Sequence, residues 1–105
     1  MTTSGRVGIV SNMASELVLR ERFVLAENVF VEMVVWKVSA AVSGSHHDFK
    51  YRLALVKDGR CVVRYDNEAG KGDHKHLDDM EIPYVFRTVQ ILLDDFWKDV
   101  DHWGS

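Results

Sequence analysis

The chain has 105 residues, of which 47% are hydrophobic and 28% charged, and it contains one proline. This composition is typical of a globular protein and excludes a disordered chain, and the length corresponds to one ordinary domain. With a single cysteine, Cys61, no disulfide can form within the chain, which is typical of a reducing compartment. No apolar run approaches the roughly 18 residues of a membrane span and no signal-peptide pattern opens the sequence, so we expect a cytoplasmic protein.

The formal net charge is −3, and it is distributed unevenly along the chain. Residues 1–43 are balanced, residues 44–76 carry seven basic and five acidic side chains, and residues 77–105 carry two basic and seven acidic ones. The overall charge argues against a general nucleic-acid coat protein, but it is compatible with one local anion site in the middle third. We expect the acidic last third to face solvent or a basic partner.

The stretch 17–38 predicts a first β-hairpin. Residues 17–25 alternate between apolar and charged side chains, which is the period of a half-buried strand. Residues 29–38 are apolar on both faces, which predicts a central strand covered on both sides. Asn28 in the short connection suits a turn, because asparagine tolerates positive φ.

The clearest hairpin is predicted over residues 49–66, around the turn at 58–59. A two-residue turn would mix polar and apolar side chains on each face, whereas a three-residue loop with a glycine bulge sorts them cleanly. The three-residue loop is therefore the predicted register, and it places Arg52 across from Arg64. Two directly opposed arginines repel each other unless an anion or a carboxylate lies between them.

The predicted fold is a single α+β domain, in which an antiparallel sheet of about four strands in two hairpins packs against a C-terminal amphipathic helix. Residues 67–86 form a connection that is long for a compact domain, and loops of this length are usually functional. The helix is predicted over residues 88–103, with Thr88 as its cap and apolar residues at helical spacing. Residues 1–14 show no sustained period and are expected to be flexible, with a short strand or turn at Val7–Val10.

The densest polar stretch runs from Arg64 to His76 and combines cations, carboxylates, two imidazoles and two glycines. An imidazole can accept and donate protons near neutral pH, and Lys71 and Arg64 can stabilise negative charge on a phosphate. Gly70 and Gly72 can let backbone N–H groups approach that phosphate. These groups suit metal-free cleavage of RNA, in which a base takes the 2′-hydroxyl proton and an acid protonates the leaving 5′-oxygen.

Two other interpretations of this stretch stay open. A polar, glycine-bearing segment is often a solvated surface loop without chemistry. His74 and His76, with Asp66 or Asp73, also have the residue types of a metal site, although an H-x-H pair without further Cys or His ligands is a weak signal. The adjacent histidines at 46–47 lie in a Gly/Ser-rich loop and are expected to be exposed.

The strings YDNE (65–68) and GKGDHKH (70–76), together with the preceding hairpin and the pair Pro83-Tyr84, resemble the TumE family of small proteins. These are described as toxins of type II toxin–antitoxin pairs, and the likeness covers most of the chain, about residues 17–100. The resemblance implies a growth-inhibiting cytoplasmic toxin that is neutralised by an antitoxin with a helix-turn-helix DNA-binding domain. Because RNA is the commonest target of small toxins of this kind, the resemblance favours an endoribonuclease.

Residue chemistry then assigns roles within the motif. The residues assigned to the chemistry are Lys71, His74, His76 and Asp73. The residues assigned to substrate binding are Lys50, Arg52, Arg64, Asp66 and Asn67. The two aspartates would orient the histidines or the lysine.

The expected partners are RNA and the cognate antitoxin, without a cofactor, a metal or a membrane, and a homo-oligomer stays open. The alternatives are a non-catalytic module that binds RNA or protein, and a metal-dependent hydrolase that uses His74 and His76.

Overall fold

The computed structural model describes residues 15–104. The expected flexible start, with its short element at Val7–Val10, lies outside the described residues. The elements follow in the order β1 (Ser15–Ala26), β2 (Val29–Val38), β3 (Phe49–Lys57), β4 (Arg60–Asp66), β5 (His74–Leu77), β6 (Met80–Pro83) and α1 (Val89–Trp103). The six strands form one sheet in sequence order, and each consecutive pair is antiparallel.

The α+β arrangement of an antiparallel sheet and one C-terminal helix is confirmed, but the predicted number of about four strands is wrong. The two additional strands, β5 and β6, lie in the segment 67–86 that the sequence predicted as one loop. A two-residue turn at 78–79 joins them, with Asp78 at a φ of 57°. An Asp-Asp turn lacks the glycine that usually marks a tight hairpin, and strands of four residues show too little alternation to be recognised.

In the hairpin of β3 and β4 the predicted register is wrong. The turn at 58–59 is a two-residue one with both residues at positive φ, and a bulge places Val62 as an extra residue in β4. Beyond the bulge, from Val63 to Asp66, apolar and polar side chains are sorted as the three-residue loop predicted, whereas Cys61 lies across from Val56 and Val62 packs against the core. Arg52 consequently lies across from Asp66 and not from Arg64, so the predicted repulsion between the arginines does not arise.

The helix α1 packs on one face of the sheet, called here the helix face. Its buried side chains are Leu92, Phe96 and Val100, and they join a core made mainly by alternate residues of β2, β3 and β4. Thr88 begins the helix by accepting a hydrogen bond from the backbone N–H of Ile91. This packing leaves the other face, called the open face, without a helix in residues 15–104.

Two contacts fix the helix relative to the sheet. The hydroxyl of Tyr65 in β4 donates a hydrogen bond to the carboxylate of Asp99, and Lys75 Nζ in β5 lies 3.2 Å from the same carboxylate. Burial, together with the hydrogen bond to Asp99, raises the pKa of Tyr65, so this hydroxyl remains a donor at physiological pH. Within residues 15–104 no helix has the length and apolar composition needed to cross a membrane.

Candidate functional site

Strand register brings polar side chains from β4, β5 and β6 together on the open face. Asp66 pairs with His74, and Arg64 pairs with His76, which in turn pairs with Glu81. Neighbouring strands lie about 4.8 Å apart, and directly paired residues project to the same side, so these five side chains meet. We call Arg64, Asp66, His74, His76 and Glu81 the imidazole cluster.

His76 is held in one tautomer by Arg64. The guanidinium Nη2 of Arg64 lies 2.9 Å from His76 Nε2. A guanidinium can only donate, so Nε2 presents its lone pair and the ring proton lies on Nδ1. Burial and the positive charge of Arg64 lower the pKa of His76 below its usual value. His76 is therefore a neutral imidazole with a basic nitrogen on the open face.

His74 has different surroundings, although it is only two residues away. Its Nδ1 lies 3.1 Å from the carbonyl oxygen of Gly72, which can only accept, so Nδ1 carries a proton. Its Nε2 lies 3.0 Å from Asp66 Oδ1 and 3.4 Å from Glu81 Oε2. A lone pair facing two carboxylates would be repelled, so this position suits an N–H donor or a bound cation.

Two buried atoms of the cluster lack a well-aligned hydrogen bond. Arg64 Nε and Asp66 Oδ2 lie 3.1 Å apart, and Asp66 Oδ1 lies 3.0 Å from His74 Nε2. In spite of these short distances, neither Arg64 Nε nor Asp66 Oδ1 meets the angular requirement for a hydrogen bond. Buried polar atoms are nearly always satisfied, so these two are exceptions, held by the charge attraction between Arg64 and Asp66 and not by aligned hydrogen bonds.

The donor set of the cluster also fits a metal ion. One ligand atom each from Asp66, His74 and His76 lie within 4.8 Å of one another. Two imidazoles and a carboxylate are ligands typical of zinc and related transition metals, and Glu81 is near enough to supply a fourth. If His76 Nε2 is to act as a ligand, the hydrogen bond from Arg64 has to be released.

The structure places the other predicted site residues in three different environments. Lys50 and Arg52 are exposed on the open face, where they line a groove of about 260 Å³ with Arg64 and Asp66. Asn67 is buried, because its side-chain amide bonds the backbone N–H of Tyr51 and the carbonyl of Phe49.

Lys71 and Asp73 are not part of the imidazole cluster. The nearest carboxylate to Lys71 is Glu68, at 3.9 Å, and both side chains are well exposed. Asp73 is directed towards the helix face, where its carboxylate accepts hydrogen bonds from Ser45, His47 and Tyr51 at 2.5, 2.6 and 2.7 Å. The predicted site is therefore divided between two regions of the molecule.

A family model described as Toxin TumE matches residues 7–104 of the chain, which is nearly its whole length. The chain belongs to the TumE toxin family. Membership of a toxin family implies an antitoxin partner. No curated protein and no solved structure matches the chain significantly.

Sequence reasoning missed three residues at these regions of the TumE-family fold. Glu81, which faces both imidazoles, lies in the segment predicted as a loop. A two-residue turn at 78–79 places Glu81 across from His76, so this pairing could have been predicted from the sequence if the turn had been recognised. His47 was predicted to be exposed, but its side chain is only 13% exposed, and its partner Asp73 lies 26 residues away in the sequence. Tyr51, the third residue, donates a hydrogen bond from its hydroxyl to the carboxylate of Asp73.

The TumE-family chain also separates its charges between the two sides of the sheet. Five cationic side chains project from the open face, against three carboxylates, and α1 on the opposite side carries four aspartates. The cations of the open face are Arg20, Arg22, Lys50, Arg52 and Arg64. The carboxylates of that face are Glu32, Asp66 and Glu81. The strands of the open face therefore carry a small excess of positive charge although the chain has a net charge of −3, and Glu68 adds a carboxylate to the groove lined by Lys50, Arg52 and Arg64.

Proposed function

We propose that this TumE-family protein is the toxin of a type II pair and acts on RNA as a metal-independent endoribonuclease, with the imidazole cluster as its active site. The observation that carries the proposal is the difference between its two imidazoles. His76 presents a lone pair at Nε2, whereas His74 places its Nε2 beside the carboxylates of Asp66 and Glu81, a position suited to an N–H donor. An acid and a base side by side on a basic surface are the groups that cleavage of RNA requires.

The proposed reaction needs only groups of this chain. His76 Nε2 removes the proton of a 2′-hydroxyl, and the resulting oxygen attacks the adjacent phosphorus. His74 donates its Nε2 proton to the leaving 5′-oxygen, which gives a 2′,3′-cyclic phosphate and a 5′-hydroxyl. Arg64 exchanges its hydrogen bond to His76 for one to the phosphate, where its charge stabilises the transition state. Lys50 and Arg52 hold neighbouring phosphates.

The type of partner and the location are part of the same proposal. A cytoplasmic toxin that destroys RNA must be neutralised in the cell that makes it, and we infer a cognate antitoxin with a helix-turn-helix domain. A homo-oligomer is compatible with this role but is not required by it, because the acid and the base belong to one chain.

Substitution of either imidazole should abolish cleavage without unfolding the protein. His76→Gln and His74→Gln should each lower the rate of cleavage of a short RNA by at least about 100-fold, which is the usual contribution of a positioned acid or base. His102→Gln near the end of α1 is the matched control and should retain full activity. The measurement is cleavage of purified RNA by each variant, together with growth arrest on expression. Full cleavage by both cluster variants would refute the proposal, and RNA that is bound but left intact would favour the non-catalytic binding module.

A metal-dependent hydrolase is the second candidate, and one observation favours it. Asp66 Oδ1 is buried beside two imidazole nitrogens without an aligned hydrogen bond, as expected of an atom that awaits a cation. The same cleavage assay separates the two mechanisms when a chelator is added. Loss of activity that is restored by Zn²⁺ or Mn²⁺ indicates the metal mechanism, whereas activity unaffected by the chelator indicates the acid–base mechanism.

A further inference from the structure

The second region of the GKGDHKH motif lines a cleft that the proposed reaction does not use. The cleft has a volume of about 530 Å³ and lies between the loop 44–47, the residues 71–73 and the segment 84–87. This volume is within the range of small-molecule sites in proteins. Asp73 contributes to this cleft, whereas the next residue, His74, contributes to the imidazole cluster.

The walls of the cleft are held by a buried polar network. Asp73 accepts hydrogen bonds from Ser45, His47 and Tyr51, and Asn67 adds a bond to Ser45. His47 also accepts a bond from the backbone N–H of Phe49 through Nδ1, so both of its ring nitrogens have partners. A network with this many satisfied members is rigid, which keeps the cleft in one shape before any ligand arrives.

Backbone forms part of the cleft wall. A Cβ atom on Gly44, which has a φ of 94°, would lie 2.7 Å from the backbone nitrogen of Gly72. The loop 44–47 and the residues 71–73 therefore approach each other through two glycines. A side chain at either position would force these segments apart and change the shape of the cleft.

The lining of the cleft has more cations than carboxylates. Lys71 and Arg87 stand against one carboxylate, that of Asp73, whose oxygens accept three hydrogen bonds and form no ion pair with either cation. Lys71 is 3.9 Å from the exposed Glu68, a weak contact in water. Arg87 forms no ion pair with any residue in the described part of the chain. Such an arrangement attracts an anion.

Aromatic rings form the remaining wall. His47 and Phe86 stack with their centroids 3.8 Å apart and their planes 19° from parallel, and Tyr84 lines the cleft beside them. Planar rings of this kind bind nucleobases by stacking. We propose that the cleft binds a nucleotide, with its base against the His47–Phe86 pair and its phosphate beside Lys71 and Arg87.

The nucleotide has two possible sources, which share this chemistry. It is either a residue of the RNA, in which case the inference rests on the proposed function, or a free mononucleotide. The effect of cleft substitutions on RNA cleavage distinguishes the sources. A raised KM for RNA would identify the RNA chain as the ligand, and an unchanged KM would identify the free mononucleotide.

The test is isothermal titration calorimetry of the full-length protein with 5′-AMP. The dissociation constant should rise at least tenfold in the double variant Lys71→Ala/Arg87→Ala. The matched control is Lys37→Ala/Lys98→Ala, which removes two exposed positive charges outside the cleft and should leave the dissociation constant unchanged. Inorganic phosphate should bind more weakly than 5′-AMP, because it lacks the base.

Three results would overturn the inference: no binding of 5′-AMP, equal weakening in the two double variants, or loss of binding on Arg64→Ala but not in the cleft variant.

The catalytic variant His76→Gln separates this inference from the proposed function. It should still bind 5′-AMP while RNA cleavage is lost. If RNA is cleaved and 5′-AMP does not bind, the inference that the cleft binds a nucleotide fails while the proposed function stands. If 5′-AMP binds in the cleft and RNA remains intact, the proposed endoribonuclease alone fails.

Discussion

At the scale of single residues, the contact between Arg64 and His76 determines which chemistry the imidazole cluster can perform. A solvated histidine exchanges between tautomers and is partly protonated near pH 6.5. Here the donated hydrogen bond fixes the lone pair on Nε2, and burial with the positive charge of Arg64 keeps the ring neutral. In the proposed reaction the same guanidinium binds the phosphate, so substrate binding and release of the base would be coupled through one side chain.

The lowered pKa of His76 makes stability depend on pH in a defined direction. Below pH 6.5 the unfolded chain takes up a proton at His76 more readily than the folded chain, because the folded pKa is the lower one. The free energy of unfolding should therefore fall as the pH decreases from 7.5 to 5.5. In His76→Gln this contribution is absent, and the fall should be smaller. Urea denaturation at several pH values measures both.

Other groups that titrate between pH 7.5 and 5.5 are present in both the parent protein and His76→Gln. Their contributions to the pH dependence of unfolding therefore cancel when the two proteins are compared. The acidic limb of the cleavage rate should also lie below pH 6.5, since His76 stays unprotonated at lower pH than a free imidazole. Equal pH dependence of unfolding in the two proteins would show that burial and Arg64 do not lower the pKa of His76 in the folded protein.

At the scale of elements, burial explains which parts of the fold were predictable. The two hairpins over 17–38 and 49–66 are visible because their strands are rich in apolar side chains at strand spacing; alternate residues of β2, β3 and β4 enter the core, whereas β1 is mostly exposed. The faces of the second hairpin were sorted correctly from Val63 to Asp66, but the bulge pairs Cys61 with Val56 and packs Val62 against the core, the reverse of the predicted placement of these two residues. The strands β5 and β6 are short and largely polar, so their pairing depends on β4 and not on their own sequence.

The prediction of the candidate site was likewise limited by which strands could be recognised in the sequence. The motif suggested that Lys71, Asp73, His74 and His76 act together, but consecutive residues of an extended chain project to opposite faces. His74 and His76 therefore join Arg64 on the open face, whereas Asp73 is directed towards the helix face. Alternation along β5 would have separated these groups, had the segment been recognised as a strand.

Asn67 connects the loop before β3 to the end of β4, and its substitution should reduce stability. Its side chain bonds the N–H of Tyr51, the carbonyl of Phe49 and the hydroxyl of Ser45, and it is 1% exposed. Asn67→Ala leaves these buried groups without partners, and we expect a loss of about 2–4 kcal/mol in the free energy of unfolding. Urea denaturation measures the change.

The control is Asn28→Gly, at an exposed turn position with a φ of 62° that glycine adopts readily, and it should change stability by less than about 0.5 kcal/mol. An Asn67→Ala protein that is as stable as the parent but binds RNA poorly would instead support the substrate-binding role predicted from the sequence.

At the scale of the whole molecule, the sheet separates a basic open face from the acidic helix α1. A polyanion that approaches the protein is attracted to one side and repelled by the other, so this charge distribution would orient an RNA before any specific contact forms. The proposed binding of RNA is therefore compatible with a net charge of −3. The antitoxin can neutralise the toxin by covering the basic face, and an acidic surface on that partner would serve this purpose.

Binding through phosphate contacts should appear as a steep dependence of RNA affinity on salt. Each phosphate contact to a single strand contributes a slope of about −0.7 in a plot of log K against log salt concentration. Arg52→Ala on the open face should weaken RNA binding and reduce the slope by about this amount. Lys98→Ala removes the same charge from α1 and should leave the slope unchanged. The affinities can be measured by fluorescence anisotropy with the inactive His76→Gln protein, so that the RNA stays intact. A slope that responds equally to both substitutions would mean that RNA responds to the net charge of the protein and not to its open face.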